Sequence, residues 1–169
     1  IQYNRSACCD QANRGVQVAH GKVFVAPLDG WLYALNAETG AVEWKTDTIA
    51  DRMRAYTVTG APEIAGDLVI IGNAGAEYDV RGYVTAYNTA DGSEEWRFWT
   101  IPRDPKDGPQ ESEAVEAALE TWEPESRCDI GGAAPLAAVS GNEERRVRHR
   151  VAQLGQLALL VKAVADHLA

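Results

Sequence analysis

Gly21-Lys-Val-Phe-Val and Leu32-Tyr-Ala-Leu-Asn-Ala-Glu-Thr-Gly-Ala-Val-Glu-Trp44 return along the chain as Gly66-Asp-Leu-Val-Ile-Ile and Val84-Thr-Ala-Tyr-Asn-Thr-Ala-Asp-Gly-Ser-Glu-Glu-Trp96. Ala34, Asn36, Gly40 and Trp44 recur 52 residues later as Ala86, Asn88, Gly92 and Trp96. In the first copy short apolar runs at Val23–Ala26, Trp31–Asn36 and Val42–Lys45 are separated by the turn dipeptides Asp29-Gly30 and Thr39-Gly40, which is the pattern of antiparallel hairpins. A unit of about 50 residues holding several short strands is the size of a β-propeller blade. One blade cannot bury both of its faces and must stack on neighbours. Trp44 and Trp96, four residues beyond their turn glycines, are placed to wedge against the adjacent blade and are read as structural.

Working outward, the chain has 169 residues, 46% of them apolar, and a formal charge of -9. That is one ordinary domain with an acidic surface, and it argues against a nucleic-acid partner. No stretch approaches the roughly 18 uninterrupted apolar residues that a membrane helix needs. The sequence opens at Ile1 without a basic and apolar leader, so it is expected to start within a longer protein, with any export signal upstream. Pro102 to Gly108 is rich in turn formers, and Ser112–Trp122 reads as a short helix capped by Ser112 between blades.

The text changes after Ala133. All the aromatic residues lie between Tyr3 and Trp122, and the remainder is dominated by Ala, Leu, Val and Arg. Val147, Val151, Leu154, Ala158, Val161, Ala165 and Leu168 step by fours and threes behind the basic run Arg145–Arg150, the mark of an amphipathic helix. The expected organisation is therefore an all-β partial propeller over residues 1–132 and an atypical helical tail over residues 133–169.

Two constellations carry chemistry. Adjacent Cys8 and Cys9 can join only with strain, because consecutive Cα atoms are ~3.8 Å apart whereas a disulfide prefers ~4.4 to 6.8 Å. The pair is either a stiff flat ring, against which a planar group could lie, or two buried thiols. Cys128 stands alone and reads as an incidental thiol. In Gly72-Asn-Ala-Gly-Ala-Glu-Tyr78 the small residues admit close backbone approach, and Glu77 is either a ligand for a hard cation such as calcium or a solvated carboxylate.

Cys8-Cys9-Asp10-Gln-Ala-Asn13-Arg14-Gly15, Thr57-Val-Thr59-Gly60-Ala61-Pro62 and Gly75-Ala76-Glu77-Tyr-Asp-Val-Arg81-Gly82-Tyr83-Val-Thr-Ala-Tyr87 closely resemble, in order and spacing, stretches of the quinoprotein alcohol dehydrogenases. The resemblance runs from about residue 5 to 132 and takes in Trp122-Glu-Pro-Glu-Ser-Arg-Cys-Asp-Ile-Gly-Gly132. It implies about two blades of an eight-bladed ring. It also implies a pyrroloquinoline quinone (PQQ) site in which a Cys8–Cys9 disulfide lies on one face of the quinone and Arg14 approaches its oxygens. Thr59, Gly75 and Ala76 would bind the cofactor's polar edge, and Glu77 would hold calcium or a lanthanide. The implied activity is oxidation of a small primary alcohol by hydride transfer, with electrons leaving to a cytochrome c. A strained disulfide further implies the periplasm.

The departures bound this reading. The family's acidic residue before the cysteines, its floor tryptophan after Gly131-Gly132, its metal-binding asparagine and its catalytic aspartate have no identifiable counterparts, so the chain by itself is expected to be inactive. Cys128 stands where a tryptophan is commoner. The competing reading is a non-catalytic propeller scaffold like the outer-membrane assembly lipoproteins, which share the blade repeat but have no use for Cys8, Cys9, Arg14, Thr59 and Glu77 together. The aromatic-free tail from residue 133 is expected to be an out-of-frame translation. Reading the source nucleotide sequence in all three frames should reveal a blade-like continuation; its absence from the other two frames sinks that idea.

Overall fold

The structure, a computed structural model, describes residues 12–75, 78 and 80–122. Two four-stranded antiparallel sheets follow one another: β1 (Gln17–Ala19), β2 (Lys22–Val25), β3 (Trp31–Asn36) and β4 (Val42–Asp47), then β5 (Glu63–Ala65), β6 (Leu68–Gly72), β7 (Tyr83–Asn88) and β8 (Glu94–Trp99). Within each sheet every strand pairs with the next in sequence. The repeat is thus two blades, as expected. Each blade has one strand more than the apolar runs reveal, because β1 and β5 are three residues long, too short for alternation to register.

Hydrogen bonding explains why Asn and Gly recur together. The Asn36 backbone carbonyl accepts from Gly40 N at 2.9 Å while its N–H donates to Ala41 O at 2.8 Å. The Asn36 side chain accepts from Glu38 N and Thr39 N and donates to Glu43. In the second blade Asn88 accepts from Gly92 N at 2.9 Å, donates to Ser93 O at 2.8 Å and reaches Glu95. Gly40 and Gly92 have φ of 71° and 75°, a left-handed conformation that glycine adopts at little cost. Even the register shift recurs, at Ala34/Leu35 and at Ala86/Tyr87.

The core lies between the sheets. Phe24, Leu32 and Ala34 of the first blade and Val69, Ile71 and Tyr87 of the second are 0–4% exposed and share one buried cluster. Each large apolar side chain so buried contributes about 1.5–3 kcal/mol. Trp44 closes the outer part of this seam. Its ring stands 5.8 Å from Phe24, and its indole N–H donates to Thr89 O at 3.2 Å in the turn of the next blade. Thr46 Oγ1 donates to Gly92 O in the same turn at 2.6 Å. Tyr83 ties the blades at the other end, donating from its hydroxyl to Thr48 O at 2.8 Å and accepting from Ala50 N at 3.1 Å.

Beyond β8, the turn-rich segment holds one 3-10 turn (Pro105–Asp107), followed by α1 (Glu113–Leu119) with Ser112 as its N-cap, accepting from Val115 N. Residues 133–169 lie outside the described residues, and the expected tail helix with them. No helix among the described residues is long and apolar enough to cross a membrane.

Gly40 and Gly92 offer a matched test of the seam. A Cβ at Gly40 meets nothing within 4 Å, whereas one at Gly92 would sit 2.5 Å from Trp44 Cε3 and 2.7 Å from Thr46 Oγ1. Gly40→Ala should cost only the backbone term, about 1–2 kcal/mol. Gly92→Ala should cost a further ~1–3 kcal/mol from overpacking, read as the difference between the two urea midpoints; equal midpoints would show that Trp44 does not bear on the seam.

Candidate functional site

Three of the expected site residues, Arg14, Thr59 and Gly75, fall on described segments. The first segment is the approach to β1. Asn13 donates from Nδ2 to Ala26 O at 3.0 Å and accepts from Gly15 N at 2.9 Å, a local turn that pins the backbone around Arg14. The Arg14 backbone N–H then donates to Thr59 O at 3.1 Å, and Arg14 Nη1 donates to the same carbonyl at 3.2 Å. Among the described residues the guanidinium has no other partner. An exposed guanidinium held at its base offers its remaining N–H groups to an anion in a fixed direction.

The second segment, 55–60, carries Thr59, which is 8% exposed. Its hydroxyl makes no hydrogen bond among the described residues. The third segment follows β6. Thr57 and Ala74 form a two-way bridge, Thr57 N to Ala74 O at 3.2 Å and Ala74 N to Thr57 O at 2.7 Å. Gly75 comes next with φ of 119°, and a Cβ there would lie 2.6 Å from Ala55 O and 2.9 Å from Val80 Cγ2. Backbone conformation and space both demand glycine. Arg14 and Thr59 are therefore in contact, and Gly75 sits one residue past the bridge that joins its segment to theirs. Cys8, Cys9, Ala76 and Glu77 lie outside the described residues. Among the described residues no group of three or more His, Cys, Asp or Glu side chains is arranged for a metal.

The site's frame uses residues to which the sequence assigns no role. Asn73 spans the neck of the β6–β7 connection, accepting from Tyr83 N at 2.7 Å and donating to Arg81 O at 3.3 Å. Arg81 donates twice to Ile101 O, at 3.2 and 2.7 Å, and twice to the Glu111 carboxylate, at 2.8 and 3.1 Å. Its guanidinium lies 4.3 Å over the Trp99 ring. Pairings over such separations leave no periodic trace in a sequence.

Beside this frame is a cavity of about 410 Å³ whose lining includes Arg54, Tyr56, Arg81, Arg97, Trp99 and Arg103. Its arginines face carboxylates already: Arg81 and Arg103 pair with Glu111, Arg97 with Glu94, and Arg54 lies 3.9 Å from Asp51. The cavity is thus a charge-paired recess rather than an open anion site. Burial raises the Tyr56 phenol above its usual pKa against the opposing backbone N–H of Arg81, so it stays protonated. Burial by itself would raise Glu111 as well, but the hydrogen bond from Arg81, local backbone, and the Arg81 and Arg103 guanidiniums outweigh it and hold the carboxyl below its ordinary value.

A family model described as outer membrane protein assembly factor BamB matches residues 5–116, a stretch containing both sheets. The quinohemoprotein alcohol dehydrogenase ADH-IIG of Pseudomonas putida is 52% identical over 126 residues, covering 75% of this chain and 17% of the relative. Its solved structure superposes with a TM-score of 0.71 over 76% of this chain and 19% of that one, at 50% identity. The chain belongs to this blade-repeat family and, within it, to the quinoprotein alcohol dehydrogenases. The 1-butanol dehydrogenase (cytochrome c) of Thauera butanivorans is 48% identical over 71% of the chain and 17% of that relative. A europium-containing methanol dehydrogenase superposes with a TM-score of 0.58 at 34% identity, covering 69% of this chain and 24% of that one. The chain thus spans less than a fifth of the length of these curated relatives.

Because its folded pKa is depressed, Glu111 should stabilise the fold fully above the ordinary carboxylate value of 4.5 and lose that contribution as pH falls through the lower folded value. Thermal midpoints of the native chain and Glu111→Gln should therefore converge as pH drops below that value. A gap that stays constant down to about pH 3 would show that the ion pair does not titrate with folding.

Proposed function

We propose that the chain forms part of the cofactor pocket of a PQQ-dependent alcohol dehydrogenase that oxidises small primary alcohols. The observation that carries this is the double hydrogen bond from Arg14 to Thr59, one residue short of closing on Gly75 through the Thr57–Ala74 bridge. The donor chemistry fits the group: an exposed guanidinium, an unengaged threonine hydroxyl and a backbone kept bare of side chain at Gly75 suit a flat, oxygen-rich polyanion. When bound, PQQ supplies the electrophilic carbonyl that accepts hydride from the alcohol.

The chain's own residues would supply the binding groups. Arg14 would stabilise negative charge on the bound quinone, and Thr59 would donate to its polar edge. Gly75 and Ala76 let backbone come close enough to bind. Glu77 supplies an oxygen ligand for calcium, or for a lanthanide as the europium-containing relative suggests, and a cation there would polarise the neighbouring carbonyl. Cys8 and Cys9, joined as a vicinal disulfide, form one wall, which favours the periplasm. The base that takes the alcohol's proton would be an aspartate that the motifs of this sequence do not include, so the 169-residue chain alone would be inactive. The acceptor of the electrons would be a cytochrome c, as the name of the Thauera relative indicates for that protein.

Absorbance titration of PQQ into the protein expressed from its full-length reading frame tests this. Binding should require calcium, and Arg14→Ala should weaken it about tenfold to a hundredfold, the effect of losing one charge-assisted hydrogen bond. No calcium-dependent spectral change would overturn the reading and leave the non-catalytic scaffold as the better account.

A further inference from the structure

We propose that Arg81 and Glu111 are positioning residues that hold the β6–β7 connection, and Gly75 within it, in its binding geometry. Arg81 joins three separate pieces of chain. Its side chain ties to the tail of β8 through Ile101 O, Trp99 and Glu111. Its carbonyl accepts from Asn73 at the neck of the connection, and its backbone N–H faces the Tyr56 phenol. Tyr56 immediately precedes Thr57, which bridges Ala74. The guanidinium anchors Arg81, and the Arg81 backbone in turn meets Asn73 on the other limb of the connection, with Val80, fully buried beside Gly75, as the packing link between them.

Three features separate this clamp from ordinary fold maintenance. Arg81, Glu111 and Ile101 stand outside the buried cluster that joins the blades. The ladders of β6, β7 and β8 close without them. Four guanidinium hydrogen bonds converge on one carboxylate and one carbonyl, a planar fork that lysine cannot reproduce. Glu111, whose carboxylate also accepts from Arg103 at 2.9 and 3.2 Å, is fixed from a second side, so the arrangement is stiff at both ends. The excursion after β8, which reads in sequence only as a link between blades, thereby reaches back to the candidate site.

The cofactor half of the proposal rests on the reading of Gly75-Ala76-Glu77 given above, and the experiment separates the two. Amide hydrogen exchange is followed by NMR in the native chain, Glu111→Gln and Arg81→Lys, together with calcium-dependent PQQ titration of the same proteins in their full-length frame. We expect the Tyr78 amide, which donates to Gly75 O at 2.8 Å, and that of Val80 to exchange about tenfold faster or more in both variants. Amides of β2, β3, β6 and β7 should keep their rates, and PQQ affinity should fall by about the same factor. Glu111→Asp should restore part of both. Unchanged exchange at Tyr78 and Val80 overturns the clamp even if PQQ binds normally. Faster exchange throughout the strands shows a structural role and overturns it too. Faster exchange confined to the connection, in a protein that binds no PQQ in any form, upholds the clamp and overturns the quinone reading.

Discussion

The indole of Trp44 rests on a turn that must contain glycine, and through that contact one four-stranded sheet becomes the wall of the next. Neither sheet has a second layer of its own. Each therefore exposes an apolar face until another sheet covers it. The buried cluster that includes Phe24, Leu32 and Val69 is non-directional and would tolerate sliding. The Trp44 N–H on Thr89 O and the Thr46 hydroxyl on Gly92 O add direction. The relative placement of the candidate site follows, because Arg14 precedes the first blade while Thr59 and Gly75 belong to the approach and centre of the second.

The pocket is built on connections rather than strands. Its segments are stitched by backbone bonds between loops, Arg14 to Thr59 and Thr57 to Ala74. Loop backbone that is not paired in a sheet is free to present groups to a ligand, provided something else holds it. Here the holding is done from outside by Asn73, Tyr56 and the Arg81–Glu111 fork. Charge is distributed to match. The arginines of the outer recess are neutralised by carboxylates, whereas Arg14 keeps most of its donors available.

The blade-repeat model that matches this chain carries the description of an assembly factor, while relatives near half identity are alcohol dehydrogenases. The two findings describe different things. Turn glycines, the asparagine before them and the docking tryptophan serve packing in any stacked blade. Arg14, Thr59 and Gly75 lie on the connections rather than in the repeated turns.

Much of this was legible in the residues. Recurrence of Ala, Asn, Gly and Trp marked the blade, because turn geometry and inter-blade packing restrict those positions to few side chains. Ser112 marked the helix start because its hydroxyl can accept from a first-turn N–H, as it does from Val115. The motifs around Arg14, Thr59 and Gly75 marked the candidate site through family likeness, since their spacing alone is compatible with many structures. The strands β1 and β5 were not legible because three residues carry no periodicity. What only the tertiary structure decided is which groups meet: Arg14 with Thr59 across 45 positions, and Arg81 with Glu111 across 30. Local chemistry is written residue by residue, but contacts at such separations arise from sheet registry and the stacking of one blade on another, which no single stretch of sequence encodes.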